Sequence, residues 1–443
     1  MGLKRSKVSL LTVCFMLYIF IAGGIFGLED VVSSAGPGLA ILLFLGLMIF
    51  WAYPYALVCA ELGSAMPEDG GFYVWVKRAM GPAWAFNCGW WMFISVLLDT
   101  SVYLVLALAY LEGMIGEFSL LTRWLIAFSI ILACTYINIR GLKSLGFFST
   151  VFSILILLPA VVLIILGFAN WQHAPFTPFM APEVLSSGGM ALALSIGIWC
   201  FAGYEYIFTM AEEFEQPEKV LPKGLLIVLP LVTLTYILPM IAGLAGVGQW
   251  EEWSAEGGLS FVQMGAQLGG PVLGVILLFS IVISNVALYN TYVGSNGRVP
   301  FAMARDNLFP QFFTKTHPKY GTPYIAIIIS AAVTAVLCLG SFETLIVADV
   351  FMFVSVLIFV FISGLILRIK EPELHRPYKV PVGTKGFAAI VVLLVAIALW
   401  TMFSSGIEYV IGGTIGLSTG PILYLILKNY YKKKNIESSG IGS

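Results

Sequence analysis

Residues 8–35 read VSLLTVCFMLYIFIAGGIFGLEDVVSSA. The stretch is apolar over a length that crosses a ~30 Å hydrocarbon layer as a helix. Its middle nevertheless holds Ala22-Gly23-Gly24-Ile25-Phe26-Gly27, a run too rich in glycine to stay helical without strain. Apolar runs of this kind recur from Val8 to Leu427. Of 443 residues, 59% are hydrophobic and 11% charged, whereas about 25% would be charged in an ordinary soluble domain. No soluble core hides that much apolar surface, so the bilayer is the solvent.

The pattern predicts an all-α membrane protein with twelve transmembrane helices, near residues 8–35, 38–62, 83–112, 119–138, 146–168, 189–212, 224–246, 271–303, 323–339, 342–369, 387–404 and 408–428. The apolar run after Lys7 continues through Phe26 into a second long span, which excludes a removable signal. Met1, Gly2 and Ser6 fit a myristoylation pattern, read here as chance. With the N-terminus inside, 22 of the 23 Lys and Arg residues fall in cytoplasmic segments and only Arg123 falls outside. One miscounted span would destroy that asymmetry, so both termini are expected in the cytoplasm, with Lys432, Lys433 and Lys434 as a topology anchor. The short loops suit a multi-pass protein of a prokaryotic cell membrane.

The sixth span carries a second interruption, Trp199-Cys200-Phe201-Ala202-Gly203-Tyr204-Glu205. First and sixth are matching positions in two five-helix units, and because five is odd the second unit enters the membrane inverted. Unwound backbone at mid-membrane needs a partner, and a small polar ligand supplies one. A half-helix N-terminus favours a carboxylate and free carbonyls favour an ammonium; an amino acid carries both.

Six acids lie in or near the spans: Glu29, Asp30, Glu61, Asp99, Glu205 and Asp349. Each costs about 2.5–3.5 kcal/mol at a helix centre, so the deep ones are functional candidates. Glu205 leads, on the broken sixth helix with no Lys or Arg near it in sequence, as a proton carrier. Asp99, one turn from Tyr103, is read equally as an amine ligand or an interhelix hydrogen bond. Glu29 and Asp30 read as a solvated helix end; Glu61 and Asp349 are placed near helix ends, within reach of water or a Lys. Trp199, beside the second break, and Tyr292, on the eighth span, read as a gate or stacking face.

No Walker loop, paired-Cys motif or nucleophile elbow is present, and His173, His317 and His375 fall in loops. The six cysteines are scattered through apolar segments without metal spacing and read as small buried hydrophobes. The expectation is a protein without cofactor or metal, not an enzyme and not a nucleic-acid binder, driven by a gradient or by exchange.

These residues resemble the amino acid-polyamine-organocation superfamily of permeases along nearly the whole chain. Gly23-Gly24-Ile25-Phe26 is similar to its Gly-Ser-Gly-Ile/Val-Phe signature, with Ala22 and Gly23 in place of the first Gly and the Ser. Glu61-Leu62, Pro67, Gly70-Gly71, Tyr73 and Gly81-Pro82 resemble its loop between second and third spans. Phe201-Ala202-Gly203-Tyr204-Glu205 matches its aromatic-x-Gly-x-acid pattern. Glu212-Glu213, Pro217-Glu218 and Pro222, then Arg298 with Ala302-Met303-Ala304-Arg305-Asp306, then His317-Pro318 through Pro323 and Arg376-Pro377-Tyr378 follow in the family's order.

The resemblance implies a five-plus-five inverted-repeat core working by alternating access: a first repeat at 8–168, an inverted second at 189–369, two extra helices at 387–428, all one domain over 1–428, and a cytoplasmic tail at 429–443. It implies a carboxylate held at Gly23, Gly24 and Ile25, an amine at Phe201, Ala202 and Gly203, and substrate contact by Tyr292. Where some of these permeases carry a Lys in the fifth span, this chain has Thr150-Val151-Phe152-Ser153-Ile154; Glu205 or obligatory exchange then remains for coupling. Gly23 to Val31 and Asp99 to Tyr103 look closer to polyamine uptake carriers, while the preserved carboxylate break suits amino acids, including cationic ones, which are the favoured substrate. A channel and an amino acid-binding sensor are the readings of another class.

Overall fold

The computed structural model describes residues 8–182, 184–185, 188–255, 258–340, 342–404 and 406–438. Among them the only extended pairing is one bridge between Trp253 and Leu259; the regular structure is otherwise helical. Lys4, Arg5 and Lys7, with Met1, Gly2 and Ser6, lie outside the described residues, as do the side chains of Lys143, Lys432, Lys433 and Lys434.

Nine helices are long and apolar enough to cross a membrane, and three shorter apolar ones, Leu10–Ile21, Gly189–Cys200 and Tyr324–Leu337, complete the order among the described residues. The first expected span is α1 (Leu10–Ile21) and α2 (Leu28–Ala35). The second is α3 (Pro37–Leu47) and α4 (Tyr53–Ala65), joined by a π-helical turn at Met48–Ala52. Pro54, with no N–H for the carbonyl four residues back, stands just after that widened turn. A short amphipathic helix, α5 (Phe72–Met80), precedes α6 (Pro82–Ile115), α7 (Leu120–Ile139) and α8 (Leu142–Ala169). Then come α9 (Gly189–Cys200), a 3-10 segment Tyr206–Glu213, α10 (Pro217–Gly246), α11 (Phe261–Asn296), α12 (Arg298–Arg305), α13 (Tyr324–Leu337), α14 (Phe342–Lys370), α15 (Thr384–Ser404) and α16 (Ile407–Ser438).

Two boundaries differ from the expected ones for a backbone reason. Gly270-Pro271 looks like the start of the eighth span, yet α11 begins at Phe261, capped by the Ser260 side chain with Gln263 reaching back, and continues across a kink at Gly270 (φ 80°). Likewise α10 starts at Pro217 rather than at 224, because Gln216 turns left-handed (φ 52°) and Pro217 occupies the first helical position, where its missing N–H costs nothing.

The interruptions in α1–α2 and after α9 are real. A twelve-residue helix such as α1 or α9 reaches about 18 Å, short of the ~30 Å apolar layer. At the first break Gly23 (φ 59°) and Gly24 (φ 147°) take conformations that a side chain resists; Gly203 (φ 100°) does so at the second. The long helices α6, α8, α10, α11 and α14 pack around these broken elements, and α6 lies against both α11 and α14. On the outer surface α7, α15, α16 and the far face of α8 expose Leu121, Leu132, Leu158, Val392 and Ile415, as lipid-facing helices do.

Charged pairs gather at the ends of the bundle. At the Lys- and Arg-rich end Glu61 is buried and bound by Arg368 and, at 3.3 Å, by Arg376, and it accepts from the Val380 N–H at 2.8 Å. Glu61 therefore meets two arginines inside the protein, not water or a Lys. At the opposite end of α6, Arg123 faces Glu112 at 3.6 Å.

Removing one member of a buried ion pair strands the other, at a cost of about 3–5 kcal/mol. Glu61→Gln should therefore lower the midpoint of thermal unfolding in detergent clearly, and Glu61→Gln with Arg368→Gln should recover part of the loss. Equal melting of the single variant and the wild type would show that the pair does not hold the fold.

Candidate functional site

The two breaks lie side by side, and four side chains take up backbone groups they release. Tyr236 on α10 donates to the Cys200 carbonyl at 2.7 Å and lies 3.3 Å from the Ile21 carbonyl, so one phenol touches both broken helices. Tyr292 on α11 donates to the Phe20 carbonyl at 2.6 Å, and Ser284 on the same helix donates to the Gly23 carbonyl. Past the first break the Gly27 N–H donates to the Tyr110 hydroxyl at 3.3 Å.

What is left over is concentrated at the gap. The Gly23 N–H is already given to the Tyr18 carbonyl at 3.1 Å, whereas the N–H groups of Gly24, Ile25 and Phe26 meet no acceptor among the described residues. At the second break the Phe201 and Ala202 carbonyls receive no donor among those residues, while that of Gly203 takes the Tyr206 N–H at 3.3 Å. An anion-seeking patch and a cation-seeking patch thus flank one space.

Aromatic side chains wall that space. Trp199 sits between Phe26 (ring centroids 5.9 Å apart) and Tyr103 (5.8 Å, nearly parallel), and its indole N–H donates to Asp99 Oδ1 at 3.0 Å. Tyr292 touches Tyr103 at 5.7 Å, Phe20 at 5.6 Å and Tyr206 at 4.8 Å. Ile21, Ala22, Phe26, Tyr103, Trp199 and Tyr236 line a narrow cleft of about 10 Å³, room for about one water. Asp99, Trp199 and Tyr292 therefore come together around Tyr103, with Gly203 against Tyr292 and Gly23 and Gly24 against Leu288 and Ser284 of the same helix, while Ile25, Phe201 and Ala202 flank them in the two breaks.

Glu205 stands just behind this group. It is fully buried, accepts from the Tyr55 hydroxyl through Oε2, and leaves Oε1 without a partner. Asp99 and Glu205 are both electrostatic neighbours of Tyr206 and Tyr292. Neither has a Lys or Arg within ion-pair distance among the described residues.

Three acids depart from their expected settings. Asp349 is not near water: it is buried on α14 and accepts from the Ser95 hydroxyl at 2.5 Å. Glu29 is not a solvated helix end either, since its Oε1 accepts from the Phe261 N–H at 3.1 Å and from the Tyr110 hydroxyl at 3.2 Å. Asp30 accepts from the Ser254 hydroxyl at 2.9 Å and the Ala255 N–H at 3.4 Å. Both acids of α2 thus fasten that half-helix to the segment entering α11. Tyr236 and Ser284 carried no sequence signal beyond their types; their roles exist only once α10 and α11 are docked. Asp349 did carry one, as the lone charge between Leu345 and Leu367.

At the Lys- and Arg-rich end the loop after α4 is fastened to the segment that follows α9. Gly70 N–H donates to the Thr209 carbonyl at 2.9 Å, Asp69 Oδ1 accepts from the Glu212 N–H at 2.9 Å, and Arg298 pairs with Glu213 at 2.7 Å. Burial, helped by the nearby Glu213 and Glu212 charges, pushes the Asp69 carboxyl up to about 8.

The family model described as Amino acid permease matches residues 4–420. The chain is 30% identical over 438 residues to the polyamine transporter RMV1 of Arabidopsis thaliana, covering 98% of this chain and 88% of that protein. It is 30% identical to the polyamine transporter PUT1 of Oryza sativa subsp. japonica (97% and 80% covered) and 28% identical to the branched-chain amino acid permease BcaP of Bacillus subtilis strain 168 (91% and 88%).

Two outcomes follow from the geometry. A Cβ at Gly203 would stand 2.7 Å from the Tyr292 hydroxyl at a left-handed φ, so Gly203→Ala should cut any transport about tenfold or more while leaving expression intact. Uptake at the wild-type rate would remove the second break from the site. Asp69 holds its proton in the folded state well above its unfolded value. Its contribution is present in full at acid pH and is lost as pH rises towards about 8. Thermal unfolding between pH 5 and 9 should fall more steeply for wild type than for Asp69→Asn, the two curves running parallel above that window; identical slopes throughout would contradict it.

Proposed function

The chain belongs to the amino acid permease family, and on that premise we propose that it is a secondary transporter whose principal substrates are polyamines, moved by alternating access. One observation carries the choice of substrate. Carboxyl groups of Asp99 and Glu205, buried and without a basic partner among the described residues, border a chamber walled by Trp199, Tyr103, Tyr206 and Tyr292. Uncompensated charge is expensive there, and a cationic amine between aromatic faces relieves it.

In this reading Asp99 receives an ammonium, Trp199 and Tyr292 stack on the methylene chain, and Phe201 and Ala202 offer carbonyls to an amine. Glu205, fed by the Tyr55 hydroxyl, exchanges a proton as the site empties. The repeats at 8–168 and 189–369 rock against each other, with 387–428 as an outer buttress. Orientation follows the Lys and Arg count, which puts both termini and the Asp69–Glu212 contact on the cytoplasmic side of a cell membrane. A second reading, transport of cationic amino acids, is favoured by the three open N–H groups at Gly24, Ile25 and Phe26, which suit a carboxylate.

Proteoliposomes given labelled putrescine, spermidine, arginine and leucine, with and without a proton gradient and with and without internal substrate, decide between them. The expectation is saturable spermidine uptake that the proton gradient accelerates in wild type and not in Glu205→Gln. Arginine uptake that spermidine fails to inhibit would favour the second reading. Flux that never saturates would indicate a channel, and binding without flux a sensor.

A further inference from the structure

We propose that Asp349, positioned by Ser95, is the specificity-determining residue of a distal ammonium subsite that makes this transporter select substrates bearing more than one cationic centre. The proposal rests on the amine reading above and adds a residue to it.

The argument begins with helix register. Ser95, Asp99 and Tyr103 follow one another at four-residue spacing on α6 and share a face; Asp349 and Phe353 do the same on α14, which packs along α6. Ser95 donates to Asp349 Oδ1 at 2.5 Å, so the two faces meet. Phe353 stacks on Tyr206 at 6.4 Å, and Asp349 is an electrostatic neighbour of Tyr103, Tyr206, Tyr292 and Asp99. Tyr103 lines the cavity. Asp349 therefore sits against the chamber on a different helix from Asp99 and is reached past a different aromatic ring.

The second, independent observation is the hydrogen bonding. Asp349 is only 4% exposed, its Oδ1 takes the Ser95 hydroxyl, and its Oδ2 meets no donor among the described residues. Glu205, fully buried beside Tyr206, likewise leaves Oε1 unpartnered. Buried carboxylate oxygens are ordinarily satisfied; here Glu205 keeps one buried without a partner and Asp349 has only the Ser95 hydroxyl, with no Lys or Arg in reach among the described residues. A single ammonium, bound at Asp99, leaves Asp349 uncompensated. A diamine or triamine carries an ammonium for each. The bulkier α-carboxylate end of an amino acid brings a negative charge into the same chamber and gains less.

The test uses the full-length protein in proteoliposomes and compares amines that differ in charge count: spermidine and putrescine as transported substrates, and n-butylamine, which matches putrescine in carbon length, as a competitor. The variants are Asp349→Asn, which keeps the size and the acceptor for Ser95, Asp349→Glu and Ser95→Ala. Asp349→Asn should raise KM for spermidine and putrescine about tenfold or more while changing inhibition by n-butylamine by no more than about twofold. Ser95→Ala should give a smaller shift in the same direction, and Asp349→Glu should restore part of the loss. Equal losses for mono- and polyamines would mark Asp349 as structural, and no loss would exclude it from the site; either outcome overturns the subsite. Should Asp349→Asn fail to fold, Ser95→Ala and Asp349→Glu give the same comparison. Wild-type protein that transports no amine would overturn the functional reading itself, an outcome visible before any variant is made.

Discussion

A helix that stops inside a membrane releases N–H and C=O groups where no water can take them, and this structure is arranged around meeting that demand twice. Groups facing protein are met by Tyr236, Tyr292, Ser284 and Tyr110, each reaching in from an unbroken helix. Groups facing the cavity are left open. The result is a division of labour, in which α6, α10 and α11 satisfy one side of each break while the other side keeps its polarity.

Charge follows the same division. At the ends of the bundle every strongly buried acid that holds a helix in place has found a partner: Glu61 has Arg368 and Arg376, Glu213 has Arg298, and Glu29 has the N-terminus of α11. In the middle, Asp99, Glu205 and Asp349 have hydroxyl and indole donors but no cation. Hydroxyl and indole donors orient a carboxyl without neutralising it, so the central acids are fixed in place while their charge remains available.

Much of this was legible in the chain. Twelve apolar segments, the two glycine-marked interruptions and the bias of Lys and Arg all report local composition, which a sequence displays directly. The gathering of Asp99, Trp199 and Tyr292 was legible because each sits on or opposite a break. Other features were hidden because they depend on which faces meet. Asp349 looked like a residue near a helix end until α14 was laid along α6 and Ser95 came opposite it. Glu29 looked solvated because its partner, the Phe261 N–H, is 232 residues away. The amphipathic α5 and the early start of α11 were missed for a different reason: Lys77, Arg78 and the Gly270-Pro271 pair carry loop signals that tertiary packing and an intact capping box override.

The phenol of Tyr236 has a single proton to give, and two carbonyls within reach of it. At 2.7 Å the Cys200 oxygen holds that proton, while the Ile21 oxygen waits at 3.3 Å. A slide of a few tenths of an ångström between the halves reverses the ranking, and the hydroxyl turns from one helix to the other without ever standing unbonded. One hydroxyl on α10 thus ties the end of α1 to the end of α9. A phenylalanine there would preserve the packing and remove the tie, so the joining of the two broken helices hangs on a single oxygen atom.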